Sequence, residues 1–500
     1  MNHFSFMEAN VTEIHEAIQA KRLTSAELVD WYLHRIEDLD SEIHAIVTVN
    51  EQARIEAETL DLFFKETGGL IGPLHGIPVL VKDQAETAGI PTSFGSIAFK
   101  DYIPKNDSTL VERLRKAGAV ILAKTNLCDF AAGWFSFSSI AGQTQNAYDP
   151  SRDAGGSSAG TSAGIALNFG TIGIGEDTGG SARIPASFNN LFGLRPTLGL
   201  ISRFGLSPLV HFQDTPGPIT RTVRDMAKLL DVLVGYDPRD PFTSAATQAK
   251  DAGRYEELLR EATLKGKRIG ILRQAFGSND DMDSYPVNQV VESAIEVLKQ
   301  AGAEMVDFVE IPNLDQFLSD TSLYSLQSKK DITHFLSSRS NTPLKSFKEV
   351  YDNQAFHPLN DLFHDIAEAP DEPAQSESYY RKRVAQDEFK QAVMNTMAFH
   401  QVDVLLYPDV RILPPTYEDL KSEKWTCLNF PTNTVIASQT KLPAISIPAG
   451  FSVDGLPVGF ELIGKPFSEA ELLQLAYAYE KIAQPRKAPG FLSKTAIEKD

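Results

Sequence analysis

The first 60 residues carry apolar side chains at helical spacing. Between Thr24 and Asp38 the apolar positions recur every three or four residues, which places them on one face of a helix. Thr24 and Ser25 stand at the start of this stretch, where a hydroxyl can accept a hydrogen bond from a free N–H group of the first turn. Residues 8–60 therefore predict helices, one of which begins at Thr24 or Ser25 and ends near Asp38.

Short apolar runs then alternate with helical stretches. Residues 76–83 form an apolar run that ends in Lys82 and Asp83, a pattern typical of a buried strand that reaches the edge of a sheet. Residues 108–118 predict a helix that ends at a glycine, and residues 119–123 predict the strand after it. This alternation favours an α/β fold whose central sheet is partly parallel.

Residues 155–181 differ in composition from the rest of the chain. They hold nine glycines, where average usage would give about two. We interpret residues 153–157 as a loop, 158–168 as a helix of small residues and 170–175 as a short strand. A Gly-Gly turn follows that strand.

Longer polar and aromatic helices begin at about residue 240. A strand–helix–strand unit is predicted within them at residues 268–309. Residues 403–407 and 443–447 return to short apolar strands. We therefore expect one core, built from the segments before 240 and after 401, with a more helical insertion between them.

Composition narrows the class of protein. Of 500 residues, 42% are hydrophobic, and 66 Asp and Glu outweigh 47 Lys and Arg to give a net charge of −19. This balance argues against a nucleic-acid partner and against attachment to an anionic membrane surface, since both need clustered cations. No apolar run approaches the ~18–20 residues of a membrane-spanning helix, and the N-terminus lacks the pattern of a secretory signal.

Cysteine and histidine usage adds two expectations. Cys128 and Cys427 are the only cysteines, so a disulfide framework is excluded, although a single bridge stays open. A reduced, cytoplasmic setting is expected. The ten histidines form neither an HExxH motif nor a Cys/His cluster, and no phosphate-binding GxxxxGK[ST] motif occurs. We expect no metal and no cofactor.

Two overlapping GxSxG matches occur in the glycine-rich segment. They place Ser158 and Ser162 at the position of a nucleophile elbow. An elbow requires an apolar strand immediately before it, whereas residues 145–154 are polar, and Ser162 falls inside the predicted helix. The sequence argues against this interpretation.

A different set of residues suits attack on a carbonyl group. The turn from Thr178 to Ser181 offers a hydroxyl together with backbone N–H donors that no side chain covers. A serine hydroxyl is a weak nucleophile and needs a base. Lys82, at the end of a buried strand, could be desolvated and act as a neutral amine. A solvated surface lysine is the alternative.

Several segments resemble the amidase signature family. Residues 153–160 (DAGGSSAG) and 175–186 (GEDTGGSARIPA) are similar to the signature itself, and residues 72–83 (GPLHGIPVLVKD) resemble the family's lysine strand. The resemblance covers most of 8–240 and 401–485 and is weak in 241–400. Further similar segments are 123–127, 193–197, 213–218, 442–448 and 455–459.

The resemblance implies a fold and an activity. The fold would be α/β, with a mixed central β-sheet covered by helices on both faces and a helical insertion. The activity would be that of an amidase, a hydrolase of C–N bonds in linear, non-peptide amides. The parts implied along the chain are an N-terminal helical segment at 1–65, an amidase signature core at 66–240, a helical insertion at 241–400 that forms a wall of the substrate pocket, and a C-terminal part at 401–500 that returns to the core.

The resemblance also implies a Ser-Ser-Lys triad. Ser181 matches the nucleophile that carries the acyl-enzyme, Ser157 the bridging serine, which follows a cis peptide bond in the family, and Lys82 the base. The implied oxyanion hole consists of N–H groups of Thr178, Gly179, Gly180 and Ser181. The residues implied to hold the lysine and the glycine turn in place are Ser158, Asp177 and Arg183.

Two positions depart from the family's pattern. Position 176 is Glu where many relatives have a small residue, which leaves the implied triad intact. Asp409 stands where relatives often have Thr, and we expect it to change the pocket or its rim.

An aromatic loop at residues 129–137 lies where the family lines its acyl pocket. It favours an apolar or aryl acyl group, although its aromatic residues could equally belong to the core. The candidate pocket residues are Phe130, Ala131, Trp134 and Phe135. The unranked aromatic candidates of the insertion are Phe317, Tyr324, Phe335 and Tyr351.

The predicted function is hydrolysis of a small aryl or alkyl amide or anilide, with esters and carbamates also open. The expected partner is this small-molecule substrate, with no nucleic acid and no membrane, and the protein would be a monomer or homodimer. One alternative is a glutamine-amidase subunit of a tRNA amidotransferase. Another is a non-catalytic binding protein on the same fold.

Overall fold

The computed structural model describes residues 4–490, and in this part of the chain one mixed sheet of eleven strands forms the core. A separate two-stranded hairpin lies within and just after the aromatic loop. The strands are β1 Ile46–Val49, β2 Pro78–Lys82, β3 Val120–Thr125, β4 Phe137–Ser138, β5 Gly142–Gln143, β6 Ile172–Asp177, β7 Phe192–Arg195, β8 Thr215–Thr220, β9 Arg268–Ile271, β10 Glu304–Val306, β11 Val404–Pro408, β12 Ala444–Phe451 and β13 Pro457–Ile463.

The order of strands across the sheet is β1-β3-β2-β6-β8-β7-β12-β13-β11-β9-β10. β3, β2 and β6 run parallel, and so do β11, β9 and β10, whereas the strands between these groups pair antiparallel. The prediction of an α/β fold with a mixed sheet is confirmed. β9 and β10 lie within residues 241–400, so part of this segment extends the central sheet.

Helices flank the sheet, and most contact it directly through the strands near them in sequence. No helix in residues 4–490 is long and apolar enough to cross a membrane. The helices are α1 Val11–Gln19, α2 Ser25–Ile43, α3 Ala53–Thr67, α4 Thr109–Lys116, α5 Ala159–Ala166, α6 Arg183–Phe188, α7 Val223–Leu233, α8 Tyr255–Leu258, α9 Tyr285–Gln300, α10 Leu314–Asp320, α11 Tyr324–Ser337, α12 Phe347–Asp352, α13 Leu362–Glu368, α14 Tyr379–His400, α15 Tyr417–Lys421, α16 Val435–Thr440 and α17 Glu469–Ala483.

The start of α2 agrees with the sequence and its end does not. Thr24 caps the helix, since its hydroxyl accepts the N–H of Glu27 while the Glu27 carboxylate accepts the N–H of Thr24. The helix runs past Asp38 and ends at His44, which adopts a left-handed backbone conformation. The prediction of helices throughout 8–60 is wrong at β1, which pairs antiparallel with β3.

The parallel pair β2 and β6 positions the candidate site. Val81 lies opposite Ile174 in the register of this pair. Because parallel strands end at the same edge of a sheet, Lys82 at the end of β2 comes to lie beside Glu176 and Asp177 at the end of β6. The predicted small-residue helix is α5, and its small side chains let it approach both strands closely.

Candidate active site

Lys82 is buried at the end of β2, with 2% of its surface exposed. Its Nζ donates to Ser157 Oγ at 2.8 Å and approaches the carbonyl oxygen of Glu176 at 3.4 Å. Burial lowers the pKa of Lys82, and the negative charge of Glu176 opposes this shift. The alternative of a solvated surface lysine is therefore wrong.

Ser157 lies in the loop before α5, directly after a cis Gly156–Ser157 peptide bond. The Gly156 N–H donates to the carbonyl oxygen of Trp134 at 2.7 Å, so this loop and the aromatic loop are in contact. A Cβ atom on Gly156 would overlap the carbonyl oxygen of Phe135. Glycine is therefore required sterically where the two loops meet.

The turn that carries Ser181 lies next to this loop. The N–H of Ser158 donates to the carbonyl oxygen of Ser181 at 3.0 Å. Gly180 has a φ of +121°, and a Cβ atom there would overlap the hydroxyl of Thr434. That hydroxyl donates to the carbonyl oxygen of Gly179 at 2.8 Å. Residues just before α16 thus pack directly against the glycine turn.

The backbone donors of the turn divide into two groups. The Gly180 N–H donates to Asp177 Oδ1 at 3.0 Å, so it is already engaged within the protein. Its assignment to the oxyanion hole needs correction for this reason. Among the described residues no acceptor contacts the N–H groups of Gly179 and Ser181. These two are available to a developing oxyanion.

Asp177 is the centre of a fully buried ionic cluster beneath the turn. Arg183 donates to both of its carboxylate oxygens, at 3.0 and 3.1 Å, and Arg195 donates to Oδ1 at 2.9 Å. Arg183 also contacts Glu461 at 2.5 Å. Burial alone would raise the pKa of Asp177, but the two guanidinium groups hold it well below its usual range. The cluster fixes the carboxylate that orients Gly180.

Ser158 fixes the loop of Ser157 against β6. Its hydroxyl lies 3.3 Å from both the carbonyl oxygen and the N–H of Glu176. Ser158 stands directly before α5, and the strand preceding it in the chain is β5, far from this turn. Ser162 is buried inside α5. Neither serine lies on a strand-to-helix elbow.

A narrow cavity opens beside Ser181. Ala131 and Trp134 of the aromatic loop border it, whereas Phe130 and Phe135 do not and instead pack in the aromatic core behind it. Tyr324, from the segment 241–400, closes one side and meets Trp134 edge to face at 5.6 Å. The lining residues are Ala131, Gly133, Trp134, Gly179, Ser181, Leu209, Tyr324, Leu362, Cys427 and Leu428.

Asp409 does not lie at this cavity. It is fully buried and accepts a hydrogen bond from Ser446 Oγ at 2.8 Å. Burial raises the pKa of Asp409 well above its usual range. The expectation that Asp409 changes the pocket or its rim is wrong, because its side chain points into the sheet.

Several residues that shape the site carry no local signal in the sequence. Arg195 stands within a segment similar to the family, but its contact with Asp177 becomes visible only once β7 is placed near β6. Glu461 and Tyr324 come from segments far along the chain. The cysteines Cys128 and Cys427 are both buried and free.

Comparison with known proteins gives consistent matches along nearly the whole chain. The family model Amidase matches residues 27–473. The A-type subunit of glutamyl-tRNA(Gln) amidotransferase from Alkaliphilus metalliredigens is 34% identical over 487 residues, 95% of this chain and 96% of that protein. The native peptide amidase of Stenotrophomonas maltophilia is 32% identical with a TM-score of 0.85, covering 98% of this chain and 99% of that one. The corresponding glutamyl-tRNA(Gln) amidotransferase protein of Thermotoga maritima is 26% identical with a TM-score of 0.75, covering 96% of both chains.

Proposed function

Because this chain belongs to the amidase family, we propose that it hydrolyses the C–N bond of a small carboxylic amide with an apolar acyl group. The substrate is an aryl or alkyl amide or an anilide, and esters and carbamates are open to the same chemistry. The observation that carries the proposal is the 2.8 Å hydrogen bond from buried Lys82 to Ser157, beside the turn of Ser181.

The proposed reaction passes through an acyl-enzyme on Ser181. Neutral Lys82 takes the proton of Ser157, and Ser157 takes the proton of Ser181 as its oxygen attacks the carbonyl carbon. The N–H groups of Gly179 and Ser181 bind the oxyanion. Ser157 then returns the proton to the departing amine, which leaves as a neutral molecule. Water attacks the acyl-enzyme by the reverse relay and regenerates Ser181.

The lining of the cavity supports an apolar acyl group. Its side chains are aliphatic or aromatic apart from Ser181, the hydroxyl of Tyr324 and the thiol of Cys427. No charged side chain borders the cavity among the described residues. An acyl group without charge therefore fits better than one with charge, because an ion buried there would have no partner.

The second candidate function is that of a glutamine-amidase subunit. The 34% identity with a component of glutamyl-tRNA(Gln) amidotransferase favours it. Glutamine carries an ammonium and a carboxylate, and both would need charged or hydrogen-bonding partners at the cavity. The uncharged lining argues for the simple amide as the first choice.

The test is a substrate screen with purified protein. Aliphatic amides, aryl amides, anilides, esters, carbamates and glutamine would be compared by kcat/KM, with Ser181→Ala as the blank. We expect turnover of amides with apolar acyl groups by the chain alone. Turnover of glutamine in preference to these amides would favour the second candidate. A fluorophosphonate that leaves Ser181 unlabelled would overturn both and favour a non-catalytic binding protein.

A further inference from the structure

The carboxylate of Glu176 faces the candidate base from the side opposite the serines. Its Oε2 lies 3.5 Å from Lys82 Nζ, and both side chains are buried, with 1% and 2% of their surface exposed. Its Oε1 accepts a hydrogen bond from Thr178 Oγ1 at 3.1 Å. Thr178 belongs to the glycine turn, so Glu176 contacts both the lysine and the turn.

A second cavity of about 550 Å³ reaches Glu176 from outside. It is separate from the narrow cavity beside Ser181 and shares none of its lining residues. Three of its lining residues each carry a buried polar atom without a partner among the described residues: Gln84 Oε1, Arg203 Nη1 and Ser207 Oγ. Polar atoms of this kind in a cavity this wide bind water.

The charges around the pair come from several elements. Asp177 follows Glu176 on β6, but its charge is balanced by Arg183 and Arg195. Asp214, before β8, accepts a hydrogen bond from Thr178 at 2.6 Å and adds negative charge near Glu176. The remaining facing groups are the thiol of Cys128, beside Lys82, and the guanidinium of Arg203, near Asp214.

These surroundings leave the pair without a fixed charge state. Burial raises the pKa of Glu176 to about 7, although the positive charge of Lys82 opposes the shift. Burial lowers the pKa of Lys82. The two shifts bring the proton affinities of amine and carboxylate closer together, so a proton can move between them at small cost.

We propose that Glu176 is a positioning residue that controls the protonation of Lys82 and connects it to solvent through the second cavity. The inference rests on the proposed function in that Lys82 must act as a base. In the resting pair the ammonium of Lys82 passes one proton to the carboxylate of Glu176, which leaves a neutral amine and a carboxylic acid. Glu176 then gives this proton to water in the cavity and becomes a carboxylate again. No oxidant or further reactant is needed.

The experiment compares pH profiles of Glu176→Gln, Glu176→Asp and the unchanged protein. The carboxylate favours the protonated lysine, so its removal in Glu176→Gln lowers the pKa of Lys82. We expect the acid limb of kcat/KM to move to lower pH by about 1 unit or more. Glu176→Asp keeps the charge and should retain a limb close to that of the unchanged protein. Glu176→Thr serves as a second uncharged variant if Gln impairs folding.

The matched control is Asp331→Asn. Asp331 borders the same cavity but pairs with His211 and does not contact Lys82. Its removal should leave the acid limb in place. An unmoved limb in both uncharged variants at position 176, or an equal movement in Asp331→Asn, would overturn the proposal.

A second readout separates this inference from the proposed function. The rate at which a fluorophosphonate labels Ser181 needs an activated serine but no amide substrate. If labelling has an acid limb that moves in Glu176→Gln while every amide fails as a substrate, the proposed function is wrong and the role of Glu176 stands. If Ser181 is not labelled at any pH, both are wrong.

Discussion

The N–H of Gly156 donates to the carbonyl oxygen of Trp134 at 2.7 Å, and this contact joins the two halves of the site. One partner holds Ser157 in place, and the other borders the cavity beside Ser181. The position of the relay serine is therefore coupled to the loop that selects the acyl group. A change in either loop is expected to affect both binding and proton transfer.

The first prediction follows from the space at Gly156. In Gly156→Ala the new Cβ would overlap the carbonyl oxygen of Phe135, so the two loops must separate. We expect the free energy of unfolding to fall by about 1–3 kcal/mol and kcat/KM to fall with it. Urea unfolding and steady-state rates measure these effects. Gly69→Ala is the matched control, because the only atom within 4 Å of its added Cβ is a distant hydroxyl at 3.9 Å; a similar loss there would contradict the steric argument.

The second prediction separates pocket residues from core residues in the aromatic loop. Trp134 borders the cavity, whereas Phe130 is fully buried against Phe94 and Phe99. Trp134→Ala enlarges the cavity, so we expect kcat/KM for bulky acyl groups to rise relative to that for small ones. Phe130→Ala should lower the free energy of unfolding by about 3–5 kcal/mol without this change in preference. The ratio of kcat/KM values over an acyl series measures it, and an unchanged ratio in Trp134→Ala would exclude Trp134 from the acyl site.

Much of the fold could be predicted because its signals are local. The buried run of β2, the glycine end of α4 and the small residues of α5 each mark an element within a few positions. β1 escapes prediction because its four residues are few and follow two helices closely. Its strand conformation depends on pairing with β3, which is distant in sequence. The resemblance to the amidase family is confirmed by the family match.

The site is less predictable wherever it depends on distant segments. The sequence could not show that the Gly180 N–H is occupied by Asp177, since that depends on how sharply the turn closes. It could not single out Tyr324 from three other aromatic residues of the same segment. The place of Asp409 inside the sheet also follows only from the pairing of β11 with β13. Long-range packing, rather than local pattern, sets each of these.

The third prediction concerns the triad. Ser181→Ala should abolish hydrolysis, and Lys82→Met should lower kcat by about 10²–10⁴-fold, the usual contribution of a positioned base. Because the pKa of Lys82 is lowered by burial and only its neutral form accepts a proton, rates should rise as the pH increases through that pKa. Steady-state rates from pH 5 to 10 measure both effects. Ser162→Ala is the control from the same glycine-rich segment; a loss in this variant, or a flat pH profile in the unchanged protein, would contradict the assignment.

The fourth prediction tests the ionic cluster beneath the turn. Arg195→Met leaves Asp177 with one guanidinium partner in a fully buried site. Removal of one member of such a cluster is expected to lower the free energy of unfolding by about 3–5 kcal/mol. The turn should also loosen, so kcat should fall more than KM changes. Arg54→Met, which removes an exposed pair with Asp30, should lower the free energy of unfolding by less than about 1 kcal/mol. Equal losses in the two variants would argue against the buried cluster.

The fifth prediction concerns stability against pH at Glu480, where burial raises the pKa to about 8 from an ordinary 4.5. Its carboxylate accepts the N–H of Val223 at the start of α7. The folded protein therefore binds the Glu480 proton more tightly than the unfolded chain does. The free energy of unfolding should accordingly fall as the pH rises from about 4.5 to about 8. Glu480→Gln removes this titration, so its stability relative to the unchanged protein should increase between pH 5 and pH 8, by about 1–2 kcal/mol after allowance for solvent at its edge. Urea unfolding at several pH values measures the difference, with the exposed Glu16→Gln as control. A difference that stays constant over this range would show that Glu480 is charged in the folded protein throughout.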